Sequence, residues 1–382
     1  MPHGVAIRRA YSASRQSDIA ARELCAALWQ PAPKLVVFFC STAFDLPELA
    51  AGIAGALGDA LIIGCTTAGE ITPLGYMDGT ITGFSIAGEG VSVVAELVPG
   101  LSKLQLPQGG AAVDRLLGAL RPDGRPADPD ATFGLLLIDG MCAVEELVLT
   151  SLHRRLAPIP LLGGSAGDGM AFERSFVYFN GCFHTDAAVL AILELRAQFR
   201  IFRHQHLTAS AVRMVVTGAD PARRIVTEIN AEPAAAEYAR VVGLTHQELG
   251  PTIFAEYPPM VRVGGQYYVR SIQKANPDGS LTFFCAIDEG VVLTLARRGD
   301  MLEDLAAFFR DMRAQIGPPS LVIGFDCVLR NLEAETRQMR RVASKLLAAN
   351  NVIGFNTYGE QFGGMHVNQT FTGVFIGQSE AR

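Results

Sequence analysis

The sequence predicts an α/β protein with mixed sheets, built from a repeated strand–helix–strand–hairpin unit. Three observations carry this. A glycine-centred motif occurs three times: "IIGCTTAGE" (Ile62 to Glu70), "LLGGSAGDG" (Leu161 to Gly169) and "VIGFNTYGE" (Val352 to Glu360). An apolar run precedes each glycine at nearly constant distance. Val36 to Gly64 and Leu135 to Gly163 both span 28 positions, and Val322 to Gly354 spans 32, one helical turn more. Finally, continuous apolar strands flank a helix-length stretch in all three, the pattern of a parallel βαβ crossover.

Taken in order, "KLVVFFCSTAFDLPELAAGIAGALGDALIIG" reads as strand, polar turn, helix, strand. After the first motif, "GTITGFSIAGEGVSVVAELVPG" alternates and is broken by "GEG", which predicts an antiparallel hairpin. Leu106 to Asp130 is rich in Pro, Gly and Asp and reads as a loop between repeats. "TFGLLLIDGMCAVEELVLTSLHRRLAPIPLLGG" restates the unit, and "AAVLAILELRAQFRIFRH" resembles the earlier hairpin. Turn chemistry at Gly218 to Pro221 places a domain break near 220. Beyond it come a short strand, a helix opened by Pro233 and stopped by Gly243, and a hairpin split by "NPDGS". "SLVIGFDCVLRNLEAETRQMRRVASKLLAANNVIGF" is the third unit, and "TFTGVFIG" closes the chain. The division expected is 1–29 as an N-terminal extension, 30–220 as a first domain and 221–382 as a second.

Hydrophobic residues make up 49% of the 382 and charged residues 18%, enough for large cores. No run approaches the roughly 18 apolar residues of a spanning helix, so no membrane association is expected. A net charge of −6 without a dense basic patch argues against nucleic acid. The seven cysteines are scattered and form no CxxC, which suits a reducing, cytoplasmic setting.

In open α/β sheets ligands bind beyond the carboxyl ends of strands. The motifs place Thr66, Thr67 and Glu70, Ser165 and Asp168, and Asn356, Thr357, Tyr358 and Glu360 at such an edge. The opening strands end in Ser41 and Thr42, Asp139, and Asp326 with Arg330. Each copy alone reads as ordinary turn and cap chemistry, whereas agreement among three copies favours a shared pocket. No catalytic residue is assigned. "GGSAGDG" lacks both GxGxxG and a following Lys-Ser/Thr, and Cys65 and Cys327 read as buried thiols.

"IIGCTTAGEI", "LLGGSAGDG", "VVT…EINAEPAAAEYA" and "VIGFNTYGEQFGGMHVNQTFTGVFIG" together resemble the FIST proteins, a bacterial sensory family with FIST N and FIST C domains. The likeness runs from about residue 30 to the end. One departure is "INAEPAA", where the family commonly carries Gly at the place of Ala231 or Glu232, altering a turn. The resemblance implies a cytoplasmic ligand-binding sensor and not an enzyme. The chain carries no kinase, cyclase or methyl-accepting segment, which suits the stand-alone subgroup of nitric-oxide-sensing proteins called NosP. That subgroup implies haem b and signalling to a histidine kinase or a cyclic-di-GMP enzyme, with a homodimer left open. The other implication is a small metabolite such as an amino acid, with Glu360 and Asp168 holding an amino group and Arg330 a carboxylate.

Haem iron in a sensor calls for an imidazole in an apolar pocket. His3, His153, His184 and His246 read as terminal, helix-end or turn residues. His204 and His206 lie two apart in "FRIFRHQHLTAS", on one strand face beside Phe202, and either offers an axial ligand. Both equally suit a solvent-facing strand edge. His366, just beyond the third motif, is the rival.

Overall fold

The computed structural model describes residues 4–378, so His3 lies outside the described residues. The first unit runs β1 (Ala6–Ser12), α1 (Ser17–Leu28), β2 (Pro33–Cys40), α2 (Leu46–Ile53), β3 (Leu61–Thr66), a hairpin of β4 (Glu70–Thr72) and β5 (Gly75–Met77), and β6 (Ile81–Ala87). The second repeats the order with β7 (Val91–Pro99), α3 (Leu106–Leu120), β8 (Thr132–Ile138), α4 (Glu145–Leu156), β9 (Leu161–Ser165), the hairpin β10 (Val177–Phe179) and β11 (Cys182–His184), and β12 (Ala187–Leu195).

The third unit opens with β13 (Phe199–His204) and is then interrupted. The insertion holds β14 (Leu207–Asp220), β15 (Ile225–Ile229), β16 (Glu232–Pro233), α5 (Ala234–Val242) and α6 (Pro251–Glu256). It continues with β17 (Pro259–Val263), β18 (Gln266–Val269), β19 (Ile272–Ala275), β20 (Leu281–Phe283) and β21 (Val292–Arg298). The unit then resumes with α7 (Met301–Ile316), β22 (Pro319–Cys327), α8 (Val328–Thr336), α9 (Arg340–Ala349) and β23 (Val352–Thr357). The hairpin β24 (Glu360–Phe362) and β25 (Met365–Val367), with the last strand β26 (Phe371–Gly377), completes it.

Each unit builds a six-stranded sheet of one order, in which the outermost pair comes from another unit. The order β1-β6-β2-β3 is completed by the second unit's β10-β11 hairpin. β7-β12-β8-β9 receives the third unit's β24-β25, and β13-β26-β22-β23 receives the first unit's β4-β5. In every sheet the two middle strands are parallel and their neighbours antiparallel. The result is a pseudo-threefold prism.

Alternation explains why these strands read as unbroken apolar runs: both faces are buried. Leu35, Val37 and Phe39, Phe133, Leu135 and Leu137, and Leu321, Ile323 and Phe325 meet inside the prism. The opposite faces pack on helices, with Val36 and Phe38 under α1 and α2, Leu136 and Ile138 under α3 and α4, and Val322 and Phe375 under α7 and α9. The insertion has its own eight-stranded antiparallel sheet and core, including Met214, Tyr238, Phe254 and Phe283.

Three expectations change. The stretch around "GEG" is not a hairpin, because β6 and β7 belong to different sheets and the chain crosses between them at Gly88 to Gly90. "AAVLAILELRAQFRIFRH" does the same with β12 and β13. Leu106 to Leu120 is a helix and not a loop: Pro107 opens it behind a Gln105–Gln108 capping box, and Gly109 lets it close on Ser151 of α4. Only the stretch from Arg121 onward remains irregular.

Of the expected extension, residues 4–29 contribute β1, the sheet edge paired with β6, and α1. Near residue 220, β14 ends at Asp220 after register shifts between Val216 and Ala219, having paired with β21 and then β15, and a turn at Pro221–Arg223 leads into β15. The "NPDGS" turn joins β19 to β20, and Gly243 ends α5 at φ 78°. At the family departure, Asn230 and Ala231 adopt φ of 54° and 63° between β15 and β16. A glycine there would carry no Cβ penalty.

Candidate functional site

The strand registers make Thr66, Ser165 and Asn356 equivalent, since they pair with Cys40, Ile138 and Asp326. All three motifs meet at one end of the prism through a ring of backbone bonds. Ala68 N–H donates to the Asn356 carbonyl at 2.9 Å, Gly167 N–H to Thr66 at 3.0 Å, and Tyr358 N–H to Ser165 at 3.3 Å. The repeated polar residues therefore lock the units together at the axis. The hydroxyl of Thr66 accepts from Phe176 N–H, that of Ser165 from Gln361, and that of Thr357 donates to the Ser165 carbonyl at 2.7 Å.

The motif acids have structural tasks. Glu70 accepts from the Thr80 N–H at 2.8 Å and the Thr80 hydroxyl at 2.7 Å, and from the Thr67 hydroxyl on its other oxygen. Glu360 takes the same two bonds from Thr370, at 3.0 and 2.6 Å. Each clips the start of a donated hairpin to the strand that follows it. In the second unit Gly169 stands at this position. There Asp168 organises the loop, accepting from the N–H groups of Phe172, Glu173 and Arg174 and from the Tyr358 hydroxyl. Burial opposes its charge, but the Tyr358 hydroxyl and these N–H groups outweigh it and hold the carboxyl below the usual range. The Tyr358 ring packs at a tilt on Phe172, their centroids 4.5 Å apart.

Burial pushes Glu70 up to about 7, against the hydrogen bonds of Thr67 and Thr80, and pushes Glu360 well above the usual range. The folded form thus keeps the Glu70 proton to higher pH than the unfolded chain, and stability falls as pH rises from about 4.5 to 7. Glu70→Gln keeps an acceptor for Thr80 and carries no charge. Its urea midpoint is expected to move toward higher stability relative to the wild type between pH 5 and 8, by on the order of 2 kcal/mol. A difference that stays constant with pH would contradict the buried-proton account.

Arg330 lies elsewhere. It is 1% exposed, donates from Nε to Asp326 at 2.6 Å, and holds Nη1 2.8 Å from His206 Nδ1. Asp326 also accepts from the Tyr76 hydroxyl, and His206 Nε2 lies 3.0 Å from Glu333, which faces Arg298 of the insertion at 3.2 Å. This chain of charges joins the first hairpin, the third unit and the insertion. Arg330 is not grouped with Asp168 or Glu360 around a ligand carboxylate.

A cleft of about 410 Å³ opens beside the ring, where all three units meet. Its walls carry Ser41, Thr42, Thr67, Glu70 and Asp78 from the first unit, Asp168 and Met170 from the second, and Asn331, Leu332 and Glu335 from α8. No Lys, Arg or His is among these wall residues, but Arg340 pairs with Asp78 at 2.6 Å. Asn331 is 8% exposed, and its Oδ1 has no hydrogen-bond partner. Of the expected pocket residues, the cleft gathers Thr67, Glu70 and Asp168. Thr66, Ser165, Asn356, Thr357, Tyr358 and Glu360 form the ring and the framework behind it. Sequence reasoning missed Asn331 and Glu335, although their i, i+4 spacing on a helix puts them on one face.

The histidines fit a haem unevenly. Both nitrogens of His206 are engaged, by Arg330 and Glu333. His366 has two unpartnered ring nitrogens, but a Cβ added at Gly359 would lie 2.5 Å from its Nε2, so the ring is wedged against backbone with no room for a macrocycle. His204 keeps an unpartnered Nε2, with its ring stacked 5.2 Å from Phe308. Burial, and then the nearby Arg330 charge, lower it to about 3, leaving the imidazole neutral. Among the described residues no cluster of His, Cys, Asp and Glu could hold a metal ion.

The three motif loops of this pseudo-threefold α/β scaffold converge beside one cleft. The chain belongs to the FIST family: the FIST N domain matches residues 34–232 and the FIST C domain residues 234–363. FIST domains are sensory modules of signalling proteins, a role distinct from catalysis. An uncharacterized protein of Methanocaldococcus jannaschii is 23% identical, over 84% of this chain and 68% of its own. A cyanuric acid hydrolase from A. caulinodans aligns over 98% of this chain and 100% of its own, at 8% identity and a TM-score of 0.40, too distant to carry fold or function. Among the described residues no helix is long and apolar enough to cross a membrane.

Proposed function

We propose that this protein is a cytoplasmic sensory module whose input is a small cationic metabolite seated in the cleft beside the ring. The carrying observation is the donor set. Four acidic side chains and the free Asn331 carbonyl line the cleft. Asp78 is paired with Arg340 at 2.6 Å and the buried Glu70 keeps its proton up to about pH 7, so Asp168 and Glu335 carry the uncompensated charge. Such walls favour an N–H-rich, positively charged group. The amino acid expected from the resemblance fits less well, because Arg330 is committed to Asp326 and His206. The output passes by protein contact to a separate signalling protein such as a histidine kinase or a cyclic-di-GMP enzyme, as the family resemblance suggests.

Calorimetry with putrescine and agmatine, against succinate and glutarate as anions of similar size, tests the reading. The diamines are expected to bind, and Asn331→Leu or Glu335→Lys to weaken binding at least tenfold. Binding of the dicarboxylates alone would sink it.

Haem-based sensing of nitric oxide in the manner of NosP is a second reading, favoured by the free Nε2 of His204. It requires a Soret band on haem-supplied protein that changes in His204→Ala. In that reading His206, engaged by Arg330 and Glu333, and His366, wedged against Gly359, are less suited to the iron than His204.

A further inference from the structure

Two neighbouring strands of the insertion sheet splay apart at one end. β17 and β21 pair only at Pro259 with Leu295 and Met260 with Thr294. Continued in register, Arg262 would face Val292, yet the ladder stops. Pro258 accepts from Ala296 N–H and Pro259 from Arg270 N–H, so alternate residues of β17 turn their backbone groups toward β21 and toward β18. By that alternation Arg262 presents its N–H and carbonyl to the opening, and Val292 does the same from the other side.

The opening is a cleft of about 590 Å³ whose walls include Arg213, Arg262 and Arg270 against one acid, Asp288. In a chain of net charge −6 this local excess of cations is unusual. Arg270 is tied to the His366 carbonyl, while Arg213 and Arg262 make no ion pair among the described residues, Arg262 lying 6.0 Å from the centre of the Tyr267 ring. Val215, Val263 and Val292 are 40%, 46% and 47% exposed around it. Unpaired backbone at Arg262 and Val292, arginines outside ion pairs and exposed valines meet at this opening, with Arg213, Val215, Arg262 and Val292 on one face of the sheet and Val263 on the other.

We propose that this opening docks an extended, acidic segment of a partner protein that carries apolar side chains at alternate positions. The segment enters as a strand between Arg262 and Val292, its carboxylates on the face that carries Arg213 and Arg262 and its apolar residues on the opposite face against Val261 and Val263. The surface is separate from the metabolite cleft, and its test does not depend on that reading.

The experiment uses the full chain and fluorescence anisotropy with a labelled, end-capped heptapeptide of alternating Glu and Val. Its Lys–Val counterpart and a backbone N-methylated version serve as comparisons. Saturable binding of the acidic peptide is expected, with no binding of the lysine peptide at tenfold higher concentration. Arg213→Glu with Arg262→Glu, both at exposed positions, should weaken binding at least tenfold while leaving the thermal midpoint unchanged. N-methylation at alternate residues should weaken it comparably. Equal binding of the two peptides, indifference to the double reversal or to N-methylation, or displacement of the peptide by oligothymidylate or anionic vesicles would each overturn the proposal.

Discussion

Gly354→Ala is expected to cost on the order of 3 kcal/mol or more and to leave little folded protein at 37 °C. A Cβ at this residue would lie 1.7 Å from the carbonyl oxygen of Gly324 on the adjacent parallel strand, and one at the equivalent Gly163 would lie 1.9 Å from that of Leu136. Backbone cannot yield as a flexible side chain does. The two strands would have to part at the centre of a sheet buried on both faces. This is why the repeated motif is centred on glycine: the requirement is close approach of two backbones. The same substitution at Gly118 in α3, where nothing lies within 4 Å, should instead stabilise by about 0.5–1 kcal/mol. Urea unfolding of the two variants side by side gives the contrast, and a stable Gly354→Ala protein would refute the steric account.

Arg330→Met should cost about 3–5 kcal/mol. Both Arg330 and Asp326 are 1% exposed, so the change strands a carboxylate in the interior with only the Tyr76 hydroxyl for company. His206 loses a partner at the same time. Adding Asp326→Asn removes the stranded charge, and the double variant is expected to recover at least half of the loss. If the two changes simply add in a denaturant-unfolding cycle, the pair is not the coupled unit described.

Much of this was legible in the sequence because it is written locally. Equal spacing marked the units, and continuous apolar runs marked strands covered on both faces. The turn residues at "NPDGS" and Gly243 fixed their own geometry. What alternation cannot encode is the partner. Ile81–Ala87 and Val91–Pro99 look like the arms of a hairpin, and only the prism separates them. The glycines of Leu106–Leu120 argued for a loop until α4 supplied the surface they pack on. At the site, Thr67 and Asp168 were readable from their motifs, whereas Asn331 became visible only once α8 had a cleft to face. His206 and Arg330 are 124 positions apart, and no local pattern joins them.

The exchanged hairpins carry a consequence for how the chain acquires its shape during synthesis. Glu70 and Ile71 pair with Phe355 and Gly354, so an edge of the first sheet's own chain waits for nearly the whole polypeptide before its partner exists. The third sheet likewise cannot close until that early hairpin is returned to it. No third of the molecule can finish alone, and loop-closure entropy must be met before the long-range pairings reward it. Until the last strands emerge, the growing chain exposes apolar sheet faces and unpaired edges, which places its period of greatest aggregation risk before release from the ribosome.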